Sequence, residues 1–410
     1  MVSLSKLVKK SQGGMTLWRG IWVSVLVLLF QAGFSLRPPT VGLLREAAAA
    51  TAAAPSKGKQ LLDEWVRRAK QEGEVTVHVQ SDWDKGLFQP LTDAFKKRFG
   101  LDIKATIVTA RMATHLPVAI AETQAGAPAT YDALMGDDAE TMQLIGAGGT
   151  QKIEGWEELL REINPLVRSG KVRPDQINLG PFKDHGFLFM ANLKQLIYNT
   201  RLISEGDLPR THAELGNPKY KGNLTQPPWT AHWELAPALL TSDKAEREKW
   251  LETVRQAGKN TGIVLPESSG IQRVVLGEVV FALNQDRFFR FTLAKDPKAP
   301  IAFKYFEDYN QVNRVYYTVR TRSRHPAAAT LFILWMGTPE AEAIWQPNVM
   351  QAVPYGESKM DAGFRSSVEK LGSKAMGFLD SEKSIELLKW YRTEEGRKYL
   401  DGMARAIRGE

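Results

Sequence analysis

The chain has 410 residues, 43% of them hydrophobic and 24% charged, and it has no cysteine. The length exceeds one ordinary core and predicts two domains; the composition excludes extensive disorder, and the missing thiols exclude disulfides, thiolate metal sites and a lipid-modified cysteine. Among the first 60 positions, five lysines, three arginines and one acidic residue carry +7 of the net +8, so the near-neutral body has no general footprint for phosphate backbones and nucleic acid is dropped as a partner.

At the N-terminus, Lys6, Lys9, Lys10 and Arg19 precede an apolar run at 21–36, and an Ala-rich tract at 47–54 follows. This order predicts a signal peptide or a retained N-terminal anchor over 1–54, with PSKGKQ at 55–60 as a linker. The folded body begins near Leu61. Leu61, Leu62, Trp65, Val66 and Ala69 recur at helical spacing up to Gly73, and Val75, Val77 and Val79 then alternate as a strand. A helix carrying Leu87, Leu91, Phe95 and Phe99 stops at Gly100. A second strand at 103–107, a helix at 116–124 before Gly126, a third strand at 131–135 and a helix from Glu140 to Gly146 continue the alternation. Strands and helices in this order predict a mostly parallel sheet flanked by helices.

Ligands of such sheets sit beyond the carboxyl ends of the strands. That rule selects Asp82 and Trp83 after the first strand, Arg111 after the second, and Asp137 with Asp138 after the third. Each aspartate is also a plausible helix cap.

Residues 196–229 read as a hinge, with a strand at 196–198, a short helix at 211–215, a Gly-Asn turn and a strand at 223–226. A second α/β segment follows, in which Trp229 and Thr230 precede a predicted helix containing Trp233, Leu235, Leu239 and Leu240. Strands are predicted at 262–265 and 279–283, and Asn284, Asp286 and Arg287 follow the latter. Extended stretches at 301–305 and 312–320 return the chain, and helices at 326–336 and 384–404 end it. Two α/β lobes joined by two extended hinge crossovers enclose a cleft. Lobe 1 is expected at 61–195 plus 312–410 and lobe 2 at 196–311.

Catalytic motifs are missing. There is no G-x-S-x-G, H-E-x-x-H, P-loop or G-x-G-x-x-G pattern, and the six histidines are dispersed; His232 with Asp82 or Asp137 is the one pairing worth inspecting. The expectation is a binding protein without enzymatic activity or cofactor.

Five stretches carry a resemblance: EGEVTVHVQSD (72–82), AETQAGAPATYDALMGDD (121–138), LIYNTRLISEGDLPRTHAELGNPKYKG (196–222), LGEVVFAL (276–283) and RHPAAATLFILWMGTPEAEAIW (324–345). In this order they resemble the extracellular solute-binding proteins of ABC transporters, nearest the ferric-iron-binding branch. The resemblance implies the two-lobed type II periplasmic-binding fold, a small-molecule ligand captured between the lobes, and delivery to a membrane permease with its ATPase. It also implies a place in the periplasm or on the extracellular side of a bacterial envelope, with membrane contact only through the N-terminal segment or the permease. A monomer is expected.

The ferric branch holds iron with a His, a Glu and a Tyr pair. At the matching positions this chain has Asp82 and Asp137, and Asp286 with Arg287 or Phe288 with Phe289 where the tyrosines belong. A small polar organic solute is therefore favoured, with Asp82, Trp83, Arg111, Asp137, Trp229, Thr230, Asn284, Asp286 and Arg287 as ligand-binding residues and no metal ligands. A ferric or other metal ion is the alternative solute, because hard carboxylates also hold metals. A sensory binding module or a periplasmic enzyme is the alternative of another class.

Overall fold

The computed structural model describes residues 56–410; the expected signal peptide or anchor lies outside the described residues. Ser56 accepts a hydrogen bond from the Lys59 amide (3.1 Å) and starts α1 (Lys57–Glu72). The helix therefore takes in most of the stretch expected as a linker, since a side-chain cap satisfies its first free amides. Then come β1 (Glu74–Gln80), α2 (Phe88–Phe99), β2 (Lys104–Ala110), α3 (Met112–Ala125), β3 (Ala133–Asp137) and α4 (Asp138–Gly146). Gly73, Gly100 and Gly126 end α1, α2 and α3 in the left-handed conformation, which glycine enters without a Cβ clash. The third strand lies two residues later than predicted, with its polar end at the site.

Helices α5 (Trp156–Ile163) and α6 (Pro165–Arg168) lead to β4 (Gly186–Asn199), all fourteen residues of which are buried. Residues 200–243 hold 3-10 turns and one short strand, β5 (Leu224–Gln226), in place of the helices expected near Thr211 and after Thr230. In the second case Pro237 has no amide to donate and its ring clashes with the carbonyl four residues back, while Trp233 is pinned by a bond from its Nε1 to Gln226 Oε1 (2.9 Å). The alternation resumes with α7 (Lys244–Lys259), β6 (Thr261–Val264), α8 (Glu267–Leu276), β7 (Phe281–Gln285), α9 (Asp286–Lys295), β8 (Ile301–Lys304) and β9 (Asn310–Val319). The C-terminal part is α10 (Pro326–Met336), α11 (Pro339–Val349), α12 (Lys359–Leu371), β10 (Ala375–Met376), α13 (Glu382–Trp390) and α14 (Glu394–Ala406).

The strands form one path, β2-β1-β3-β9-β4-β7-β5-β6, with β10 added at β9 and β8 at β4. β1 runs parallel to β2 and β3, and β5 parallel to β6 and β7, so each half of the path is a small parallel sheet. The antiparallel strands β4 and β9 join the halves. Residues 186–193 of β4 pair with β9, whereas Lys194–Tyr198 pair with β7. The chain thus changes sheet partners at Leu193 and Lys194. α10, PAAATLFILWM, is buried all round in the main core, as a helix apolar on every face must be. α14 lies against α7, and Tyr391 Oη after α13 donates to Glu234 O (2.7 Å). No helix among the described residues is long and apolar enough to cross a membrane.

Candidate functional site

The carboxyl ends of β1, β3, β5 and β7 and the partner-switching segment of β4 bring polar side chains together. At the end of β3, Asp137 caps α4: its Oδ1 accepts from the Glu140 amide (2.9 Å), and Glu140 Oε2 accepts from the Asp137 amide (3.0 Å). This reciprocal box leaves two carboxylates side by side. Burial raises the pKa of both; for Glu140 the neighbouring Asp137 charge adds to the rise.

Lys194 stands opposite on β4, buried, with its ammonium donating to Ala231 O. Burial lowers its pKa, while the negative fields of Glu234, Glu267 and Asp137 oppose that fall. Glu234, raised by burial, accepts from Thr230 Oγ1 (3.1 Å). Glu267, at the start of α8, accepts from Trp229 Nε1 (3.1 Å) and Gln285 Nε2 (3.3 Å). His232 Nε2 lies 3.6 Å from Glu267 Oε1, beyond hydrogen-bond distance, and burial pushes the imidazole down to about 4, so it is neutral near pH 7. Asn192, two residues before Lys194 on β4, falls on the same strand face; it is fully buried, and neither amide atom has a partner among the described residues. An unpartnered buried amide marks a place for water or ligand.

The nine residues selected from sequence divide by surroundings. Asp137, Trp229 and Thr230 join the Lys194 cluster. Asn284 is buried at its edge and donates from Nδ2 to Glu267 O (2.9 Å). Asp82 and Arg287 form an ion pair that links the loop after β1 to α9. Arg287 also donates from Nε to Gln285 Oε1 (3.1 Å), and a polar chain runs from Asp82 through Arg287 and Gln285 to Glu267. Trp83 is buried against Trp345, with ring centroids 6.0 Å apart. Asp286 is buried in an ion pair with Arg290 (2.8 Å). Arg111 is exposed at the N-cap of α3. Asp138, pushed by burial to about 7, accepts from Tyr316 Oη (2.9 Å), and Tyr317 stacks on Phe189 at 4.6 Å. Both tyrosines are fully buried.

Sequence reasoning missed Glu140, Glu234, Glu267 and Lys194. The signal for Lys194 was present: a lysine inside the apolar run FLFMANLKQLIYN needs nearby carboxylates to be buried. Among the described residues, no three His, Asp or Glu side chains stand ready as a metal-holding group.

Residues 91–354 match the family model described as bacterial extracellular solute-binding protein. No curated protein matches the chain by sequence. Among solved structures, iron-bound HitA from Pseudomonas aeruginosa is similar at a TM-score of 0.61 and 18% identity, over 81% of this chain and 99% of that one. The apo ferric ion-binding protein A of Pasteurella haemolytica gives 0.61 and 16%, over 82% and 99%. A putative spermidine/putrescine ABC transporter protein from Listeria monocytogenes gives 0.59 and 13%, over 80% and 98%. The fold is the α/β type II periplasmic-binding fold. The chain belongs to the bacterial extracellular solute-binding proteins, the non-catalytic, periplasmic or extracellular components that capture a solute for an ABC-type permease and its ATPase.

Proposed function

We propose that the solute is a metal cation, with ferric iron the first to test, and that it is captured where the two sheet halves meet at Lys194. The observation that carries this reading is the set of buried carboxylates near one another, with Asp137, Glu234 and Glu267 in the field of the buried Lys194 ammonium and Glu140 paired with Asp137 through the capping box. Carboxylate oxygens are hard donors that suit such ions. The likeness to ferric-binding structures supports a metal over the small organic solute expected from the sequence. Because no metal-holding group stands preformed among the described residues, capture requires the lobes to shift and Lys194 to leave the carboxylates. We assign the exchange between lobes to residues 193–194 of β4 and the facing part of β9, and take the working unit to be a monomer.

An organic amine is the second reading, favoured by Trp229, which is 39% exposed beside Glu267 and offers an indole face to a cation. Metal analysis with native mass spectrometry of protein purified from the envelope decides between them. One iron per chain, with ferric affinity lowered at least tenfold in Asp137→Asn, supports the metal. A metal-free protein that carries an amine adduct and does not bind ferric nitrilotriacetate overturns it.

A further inference from the structure

Outside the Lys194 cluster, three rings meet between β1, α3 and the approach to β3. His78 of β1 is fully buried, while His115 near the start of α3 and Tyr131 before β3 are partly exposed. Ring centroids are 5.8 Å apart for His78 and His115, 5.8 Å for His78 and Tyr131, and 5.2 Å for His115 and Tyr131.

The hydrogen bonding of His78 fixes where its lone pair is. Nε2 lies 3.0 Å from Ala110 O, and a carbonyl oxygen only accepts, so Nε2 carries the ring proton. The neutral ring then has its lone pair on Nδ1, which is buried and has no hydrogen-bond partner among the described residues. A second proton on Nδ1 would bury a charge and an unpaired N–H, so the neutral ring is the stable one. A histidine with only a packing role is expected to satisfy both nitrogens. One that binds a metal donates its other N–H to a carbonyl or carboxylate, as His78 does, and leaves the remaining nitrogen for the ion.

The spacing of the second imidazole agrees with this. Metal–nitrogen bonds of about 2.1 Å put the centroids of two imidazoles on one ion about 5–6 Å apart, and His78 and His115 lie within that range. Imidazole nitrogen suits copper, zinc and nickel, whereas the carboxylates around Lys194 suit harder ions.

We propose that His78 and His115, beside the Tyr131 ring, form a second metal site for a borderline divalent ion such as Cu²⁺. Binding there would fasten the start of α3 to β1 and stabilise the folded chain, since the unfolded chain does not hold the two rings together. The site does not depend on which solute the Lys194 cluster takes, so the two readings fail separately.

The test is titration of the full chain, first stripped of metal by a chelator, with Cu²⁺ near pH 7, followed by electron paramagnetic resonance and thermal unfolding. Wild type is expected to hold one Cu²⁺ tightly, with hyperfine splitting from two imidazole nitrogens and a raised Tm. His115→Ala, at a partly exposed position, is expected to lower Cu²⁺ affinity at least tenfold and to remove one nitrogen from the spectrum. His78→Phe keeps a ring in the core and is expected to lose the two-nitrogen signal. Asp137→Asn, which alters only the carboxylate cluster, is expected to keep that signal at wild-type affinity. Thermal unfolding without metal checks that each variant is folded. Equal Cu²⁺ affinity and nitrogen count in wild type and His115→Ala, a spectrum of oxygen ligands alone, or loss of the signal in Asp137→Asn overturns the proposal.

Discussion

At the scale of single residues, Lys194 and His232 set the electrostatics of the cleft. Lys194 neutralises part of an acidic set that a cationic ligand would otherwise meet in full, so it competes with that ligand for the same carboxylates. Lys194→Met is expected to tighten binding of a multivalent cation at least tenfold and to lower stability without ligand, because the buried carboxylates lose the positive field of its ammonium; affinity equal to wild type would show that the lysine stays in place on binding. His232 is neutral when folded above about pH 4, whereas the unfolded chain protonates it below 6.5. Its stabilising contribution is therefore whole above pH 6.5 and is lost as pH falls toward 4, amounting to roughly 2 kcal/mol at pH 5. Urea melts at pH 7 and pH 5 should show a smaller acid loss for His232→Gln than for wild type, and equal losses would mean a charged imidazole in the fold. Asp137 was legible in the sequence because it ends a strand in an alternating sheet. Glu140 and Glu234 were not, since a carboxylate one helical turn from a cap looks like any solvated residue until the opposite half of the sheet is folded against it.

At the scale of elements, β4 is the member on which the others depend. It is paired on both sides along residues 196–198, by β7 and β8, and every residue in it is buried. The segment 200–243 has short turns and three strand residues instead. Local opening follows the number of buried, mutually supporting bonds. Hydrogen exchange is accordingly expected to leave the amides of Leu196, Ile197 and Tyr198 protected to nearly the global unfolding limit, with those in 229–240 exchanging by local opening at least a hundredfold faster. Similar rates in both would assign the rigidity elsewhere. The helices stopped by Gly73, Gly100 and Gly126 were readable from sequence, because periodicity and a left-handed cap agree there. The predicted helix after Thr230 failed because its apolar spacing was real but Pro237 and the Trp233 bond imposed a different backbone.

At the scale of the whole molecule, closure must come from contacts made in one arrangement of the lobes and lost in the other. Strand order implied two parallel sheets joined by two extended crossovers, and the structure adds that the join at β4 is a change of partner between Leu193 and Lys194. The Arg287–Asp82 pair ties the loop after β1 to α9, across the two halves. One of its partners is a third exposed, so it contributes at most about 1 kcal/mol, no more than a roughly fivefold bias toward the arrangement in which it forms. Reversing a 1:99 population to 99:1 takes about 10⁴-fold differential affinity, so the pair biases closure and the ligand supplies the rest. Arg287→Met should therefore shift the ligand-free protein toward a larger radius of gyration in small-angle scattering, and high salt should produce part of the same expansion in wild type and none in the variant. With saturating ligand both proteins should return to the same compact radius, since the cluster at Lys194 is untouched. If Arg287→Met leaves the ligand-free radius and its salt response unchanged, the ion pair does not govern closure, and the closed state is held by the packing around β4 alone.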